Sequence, residues 1–192
     1  MPNKKTKKNV GKIFEDSIAK SCPGNILVKK LADNASGWSG GDKTRFASKN
    51  ECDFIMHDEN TGLFYGLELK CTEGPSFTFW RKDFEEDGKK RTYQIKKNQI
   101  LGLEKWDSSH SGVFGFVFNF KSKGNATYFV FVSDFLEYTK TLSKNRVNID
   151  DVKQMSPITI QSKKLKINYK YDMSSFFKDM PKQLEMKHEK IL

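Results

Sequence analysis

Apolar and polar positions alternate over residues 63–70, and this alternation predicts a half-buried β-strand. The odd-numbered positions of this segment are all leucine or tyrosine. A shorter apolar run at residues 52–57 predicts a second strand. The polar, glycine-containing segment 58–62 predicts the turn between them. The pattern therefore predicts a β-hairpin.

This hairpin would bring charged side chains together at one end. If it folds about residues 60–61, Asp53 falls opposite residues 67–69, close to Glu68, with Lys70 beside them. Two carboxylates that leave positions open for water and a phosphate suit Mg²⁺ or Mn²⁺. The residues therefore favour a nuclease-like site. The same pattern is also expected of an exposed edge hairpin whose charges are merely solvated.

Helical periodicity is found on both sides of the hairpin. Residues 9–21 carry an inward apolar stripe, and Glu15 lies on its border, where it faces either a metal site or solvent. Residues 92–106 predict a second helix with Gln99 on its apolar face. A buried amide needs a partner, which could be a site carboxylate, a metal-bound water or a backbone carbonyl. Glu15 and Gln99 are therefore further candidates for the site.

The remaining segments predict a buried second hairpin and two flanking tails. Residues 113–132 are rich in Phe and Val and predict a hairpin in the core. Residues 77–90 mix aromatic and basic side chains, which is typical of binding to a nucleic-acid strand or of a dimer contact. We expect residues 77–90 and 113–132 to supply the dimer contacts. We expect residues 1–8 to be a basic flexible arm, 9–172 the folded domain and 173–192 a basic tail.

Composition favours a polyanionic partner. The 192 residues carry 34 Lys and Arg against 24 Asp and Glu, a formal charge of +10, and nucleic acid is the commonest partner of such a chain. Ribosomal and membrane-surface proteins carry a similar excess, so charge alone does not decide between them. The candidate nucleic-acid contacts are basic or aromatic side chains: Lys4, Lys5, Lys7, Lys8, Lys12, Trp38, Lys43, Arg45, Lys49 and Arg81.

These contacts have plain alternatives. The amino-terminal lysines are equally typical of a solubilising tail, and Trp38 of a side chain packed against the core. The three cysteines lack zinc-like spacing and are interpreted as reduced thiols. No apolar run is long enough to span a membrane, and the basic start of the chain lacks a signal peptide's hydrophobic core. We therefore expect an intracellular, cytoplasmic protein without a membrane partner.

The order of these elements resembles the PD-(D/E)xK nuclease superfamily, and within it the RecU-type Holliday-junction resolvases. The similar motifs are residues 11–15 (GKIFE), 52–55 (CDFI), 68–70 (ELK), 95–99 (IKKNQ), 112–116 (GVFGF) and 128–130 (YFV). Two features depart from the RecU pattern. Residues 31–50 lack its stalk-like character and are more similar to archaeal junction resolvases, and Cys52 stands where the superfamily motif has proline.

The resemblance implies a restriction-endonuclease-like α/β core, in which helices flank a central mixed sheet. It also implies that Asp53, Glu68 and the Leu69 carbonyl bind Mg²⁺, with Mn²⁺ able to substitute, and that Glu15 binds the metal directly or through water. Lys70 would orient the attacking water or neutralise developing charge. Gln99 would position Lys70 or the nucleophile.

The function implied is a metal-dependent, structure-selective DNA endonuclease acting in recombination and repair. The preferred substrate would be a four-way junction, and a homodimer would make paired symmetric nicks. One alternative is a restriction-like or repair endonuclease on ordinary duplex DNA. Another is a non-catalytic basic DNA-binding protein on a degenerate nuclease fold.

Overall fold

The computed structural model of this chain describes residues 9–31, 50–84, 92–109 and 112–189. The helices in these ranges are α1 (Val10–Ser21), α2 (Lys97–Ser109), α3 (Val132–Lys140), α4 (Ile149–Lys153) and α5 (Met173–Glu189), with a 3-10 turn at Lys82–Phe84. The strands are β1 (Ile26–Lys30), β2 (Phe54–Asp58), β3 (Phe64–Thr72), β4 (Ser76–Thr78), β5 (Val113–Phe120), β6 (Ala126–Phe131), β7 (Arg146–Asn148), β8 (Ile158–Thr159), β9 (Ser162–Lys164) and β10 (Tyr169–Tyr171). The predicted arm, residues 1–8, lies outside the described ranges.

A six-stranded mixed sheet forms the centre of the fold, in the order β1-β2-β3-β5-β6-β8. Strands β3 and β5 are parallel, whereas the other neighbours in this sheet are antiparallel. Two small antiparallel pairs, β4–β7 and β9–β10, lie outside it. The prediction of an α/β protein with a mixed central sheet flanked by helices is confirmed.

The hairpin prediction is also confirmed, including its register. Phe54 pairs with Leu67 across β2 and β3, which centres the turn on residues 60–61. Asp58 stabilises this turn because its carboxylate accepts hydrogen bonds from the Asn60 amide and the Thr61 hydroxyl. The register therefore brings Asp53 beside Glu68.

Two apolar clusters cover the two faces of the sheet. Helices α1 and α5 contribute to one cluster, and α2, α3 and α4 contribute to the other. Every residue of β5 is buried because the strand is covered on both faces, and such strands are continuously apolar. Among the described helices, none is long and apolar enough to cross a membrane.

The prediction of a basic tail at residues 173–192 is wrong for the part that the structure describes. Residues 173–189 form α5, which lies against the core. Its buried side chains follow helical spacing, and they are Met173, Phe176, Phe177 and Met180. Burial of these four large side chains makes α5 part of the fold.

Most aromatic side chains of the two segments predicted to form the dimer contact lie in the core of the chain where the structure describes them. Phe77 and Phe79 are at most 1% exposed, and they pack in the same cluster as α3. Every residue of β5 is likewise buried within its own chain, whereas the loop at 122–124 is exposed and β6 is partly buried. Side chains that are already covered in the monomer offer no aromatic surface to a second copy.

Helix α2 begins at Lys97, five residues later than predicted. Ile95 lies before it and forms an isolated bridge with Phe79, so it does not share a helical face with Gln99. The Gln99 side chain explains the later start, because its Oε1 accepts a hydrogen bond of 2.9 Å from the Lys96 amide. An amide that reaches back in this way satisfies a donor at the start of a helix.

Candidate active site

Asp53 lies just before β2, at the point where this strand leaves its pairing with β3. Its amide donates to the Leu67 carbonyl at 3.1 Å. Its carboxylate accepts a hydrogen bond of 2.7 Å from the Leu69 amide. Because the amide and carbonyl of one strand residue point to the same side, the Leu69 carbonyl is directed toward this edge as well. The strand backbone therefore holds the Asp53 carboxylate next to Glu68.

Glu68 lies inside the protein, with 1% of its surface exposed. Its Oε1 accepts hydrogen bonds from Gln99 Nε2 at 2.5 Å and from Lys70 Nζ at 2.6 Å. Its Oε2 has no hydrogen-bond donor among the described residues. A buried carboxylate oxygen without a partner is costly, so this atom is where a bound cation would be favoured.

The environment raises the pKa of both carboxyl groups. Burial raises the pKa of Glu68 to about 8; the Asp53 charge adds to this rise, and the neighbouring Lys70 ammonium opposes it. Burial likewise raises the pKa of Asp53, against the effect of the Leu69 amide and of Lys70. The two carboxyl groups lie close enough for each to affect the pKa of the other, and two negative charges this close destabilise each other when no cation lies between them.

Gln99 connects α2 to this carboxylate pair. The same side chain accepts from the Lys96 amide through Oε1 and donates to Glu68 through Nε2. Of the three partners that the sequence left open for this amide, the site carboxylate is therefore the one found. From the first turn of α2, Gln99 thus holds the Glu68 side chain of β3. The position of Gln99 in turn depends on where α2 begins.

Glu15 is not brought into the carboxylate pair. It lies on α1 and forms an ion pair with Lys30 at 2.8 Å. Its charge still reaches Asp53, whose pKa it helps to raise. Sequence analysis missed Lys30, whose pKa is raised by its hydrogen bond to Glu15. Strand β1 ends in two lysines, Lys29 and Lys30. The sequence pattern does not show which of them forms the ion pair with Glu15.

The donor set fits a hard divalent cation with few protein ligands. Among the described residues there is no group of three His, Cys, Asp or Glu side chains that could hold a metal ion. Mg²⁺, however, keeps several waters and is usually bound through one or two carboxylates. Asp53, the unpaired oxygen of Glu68 and the Leu69 carbonyl supply oxygens of this kind. The prediction that Glu15 ligates the metal directly has no support in this geometry.

No protein-family model matches the chain. The chain is similar to the SPbeta prophage-derived uncharacterized protein YotM of Bacillus subtilis (strain 168), with 29% identity. The alignment covers 91% of this chain and 88% of the relative. The similarity therefore extends over nearly the full length of both proteins and is not confined to one motif. Neither comparison names an activity.

Two of the predicted nucleic-acid contacts can be located. Lys12 is exposed on α1, one turn before Glu15. Arg81 donates to the carbonyls of Thr139 and Leu142 at the end of α3 and pairs with Asp83. Its guanidinium thus holds the end of α3, and its assignment as a phosphate contact stays a prediction. The others lie outside the described residues: Lys4, Lys5, Lys7, Lys8, Trp38, Lys43, Arg45 and Lys49.

Proposed function

We propose that this protein is a Mg²⁺-dependent DNA endonuclease built on a PD-(D/E)xK core. The observation that carries the proposal is the proximity of the Asp53 carboxyl group to the buried Glu68 carboxylate, one oxygen of which lacks a partner among the described residues while Lys70 lies on the other. A carboxylate pair that is destabilised without a cation, with a lysine beside it, suits metal-assisted hydrolysis of a phosphodiester.

Each residue of the site would have a defined task. Asp53 and Glu68 would hold Mg²⁺, which, when bound, stabilises negative charge on the phosphate and acidifies a water molecule. Lys70 lies at the Glu68 carboxylate and would neutralise charge that develops on the scissile phosphate. Gln99 would hold Glu68 in place from α2. Hydrolysis adds water across one P–O bond and leaves a phosphate monoester and a hydroxyl.

DNA is the favoured substrate because the chain carries a formal charge of +10. We propose a four-way junction as the preferred form and a homodimer as the active species, on the strength of the resemblance to junction resolvases. A junction has two-fold symmetry, and two sites on a symmetric dimer would place paired nicks about its centre. The described residues identify no dimer surface, so oligomeric state has to be measured directly.

A cleavage assay tests this proposal. Purified protein is incubated with labelled four-way junction, linear duplex or single strand, in Mg²⁺ or in EDTA. The variants Asp53→Asn and Glu68→Gln are compared with Asp179→Asn and Glu185→Gln, which remove exposed acids on α5. We expect Mg²⁺-dependent cleavage that is lost in the first two variants and kept in the controls. DNA binding should persist in all four, because lysines and arginines supply the affinity.

The outcomes separate the alternatives. Paired symmetric nicks in the junction by a dimer would support the resolvase, whereas equal cleavage of duplex and junction by a monomer would favour a general endonuclease. DNA binding without cleavage in any metal would favour a non-catalytic binding protein. Substantial Mg²⁺-dependent cleavage by Asp53→Asn or Glu68→Gln would refute the assignment of the site.

A further inference from the structure

We propose that residues 161–171, which contain the β9–β10 pair and are called the basic hairpin below, form a second DNA-binding element. In this element, lysines contact backbone phosphates and the apolar tip contacts the sugar and base surface. The inference rests on the proposed function, because it concerns another contact with the same class of substrate. None of the motifs that define the nuclease-like site lies in this segment.

The charge of the basic hairpin is the first argument. It carries four lysines and no acidic residue, and all four lysines are exposed: Lys163, Lys164, Lys166 and Lys170. Lys163 and Lys170 face each other directly across the two strands. Like charges at opposed positions of a β-pair destabilise it. A bound phosphate would remove this repulsion, so the arrangement is suited to an anion.

The tip of the basic hairpin is the second argument. The Leu165 amide donates to the Asn168 carbonyl at 2.8 Å, which leaves Lys166 and Ile167 as the two residues of the turn. Ile167 is 85% exposed and Leu165 is 50% exposed. Exposed apolar side chains between lysines are typical of DNA-binding ribbons, which enter a groove and place apolar groups against the bases.

The attachment of the basic hairpin is the third argument, because it places this element at the same end of the sheet as the carboxylate pair. Asn125 Nδ2 donates to Ser162 Oγ at 2.9 Å, at the base of the hairpin. Asn119 Nδ2 donates to Asn125 Oδ1 at 3.0 Å, and Cys71 Sγ donates to Asn119 Oδ1 at 3.2 Å. Cys71 directly follows Lys70 in β3. These hydrogen bonds attach the hairpin to the end of β3 that carries the site, on the face of the sheet covered by α1 and opposite the face on which Glu68 meets α2.

The basic surface continues from the hairpin onto α1. A surface depression between these elements is lined by Lys20, Lys163 and Lys170. Asp172 also lines this depression, but its carboxylate accepts hydrogen bonds from the amide and hydroxyl of Ser175 at the start of α5. The three lysines outnumber this one carboxylate, so the depression keeps a net positive charge that a phosphate chain could follow.

Equilibrium DNA binding in EDTA tests the proposal without cleavage. The hairpin variant replaces Lys163, Lys164, Lys166 and Lys170 with glutamine. The matched control replaces four exposed lysines elsewhere, Lys105, Lys140, Lys178 and Lys182, and so removes the same net charge. Fluorescence polarisation with labelled duplex and junction is measured over a range of KCl concentrations, and thermal denaturation checks that each variant is folded.

The slope of log affinity against log salt should fall by about 0.9 for each lysine that contacts a duplex phosphate. We expect the hairpin variant to lose the equivalent of two or more contacts and the control to lose less than one. An equal loss in both variants would show that only net charge matters and would overturn the proposal. Unchanged binding by the hairpin variant would overturn it as well.

The tip is tested separately with Leu165→Ser and Ile167→Ser together, using DNA that carries 2-aminopurine. We expect wild-type protein to change the 2-aminopurine fluorescence and the tip variant to lose this change while keeping its salt slope. Unaltered fluorescence in the tip variant would refute the apolar contact. These results are independent of the proposed activity: binding through the hairpin without cleavage would refute the endonuclease alone, whereas cleavage with an unaffected hairpin variant would refute the hairpin alone.

Discussion

Replacing Glu68 with glutamine should stabilise the metal-free protein at alkaline pH and have much less effect at acidic pH. In the folded protein, burial raises the Glu68 pKa from 4.5 to about 8, and the charge of Asp53 contributes to this rise. Between these two values the folded state holds a proton that the unfolded state has lost. Stability therefore decreases as pH rises through this window, because unfolding releases a group that prefers to be ionised.

The size of the effect follows from the pKa values. Each pH unit in which the folded state alone holds the proton corresponds to about 1.4 kcal/mol. From about pH 5 to about pH 8, Glu68 should therefore decrease the free energy of unfolding by roughly 4 kcal/mol. Glutamine has the shape of glutamate without its charge, so the Glu68→Gln variant should lack this dependence. Titration of groups distant from Glu68 is common to both proteins and cancels in their difference, whereas Asp53 interacts with Glu68 and contributes to the difference as part of the pair.

Urea denaturation in EDTA at several pH values measures this difference. We expect the free energy of unfolding of Glu68→Gln, relative to wild type, to increase steadily from acidic to alkaline pH. The control Glu185→Gln removes an exposed acid and should follow wild type throughout. Adding Mg²⁺ should stabilise wild type more at alkaline than at acidic pH. Parallel pH profiles for wild type and Glu68→Gln would refute the argument that a costly buried carboxylate defines the site.

Two other predictions concern the framework around the site. A Cβ at Gly115 would lie 2.1 Å from the Val130 carbonyl, so Gly115→Ala should cost about 3 kcal/mol in urea denaturation. Gly24→Ala has open space around it and should change stability by less than about 0.5 kcal/mol; similar losses in both would contradict the clash. Arg81→Lys keeps the charge but not the fork that holds α3, so it should cost about 2 kcal/mol with DNA affinity unchanged. Weaker DNA binding by folded Arg81→Lys would support Arg81 as a DNA contact.

The sequence determined the hairpin and the register that brings Asp53 to Glu68. Alternation over residues 63–70 and the polar turn between the two strands are local signals, and the spacing about the turn assigned the pairing. Gln99 was recognisable for a related reason, because an amide on an apolar helical face must have a buried partner. These inferences succeeded because each depended on a pattern within a single short segment of the chain.

Residues 173–189 carry a local signal for the helix that they form. Their apolar side chains recur at positions i, i+3, i+4 and i+7, which is the spacing of an amphipathic helix. The segment also contains several lysines and Pro181, and this composition is typical of a tail. Periodicity is stronger evidence than composition here, because burial of one face stabilises a helix whatever its other face contains.

Other features were decided only by the tertiary structure. Interfaces and cores select the same aromatic residues, so composition alone could not show that Phe77 and Phe79 pack within their own chain. The pairing of Glu15 with Lys30 and the commitment of Arg81 to α3 depend on which elements become neighbours in space. Local patterns predict on which face of a helix or strand a side chain lies, and whether a polar side chain there needs a hydrogen-bonding or ion-pair partner. The identity of that partner is determined by long-range packing, which no local pattern in the sequence records.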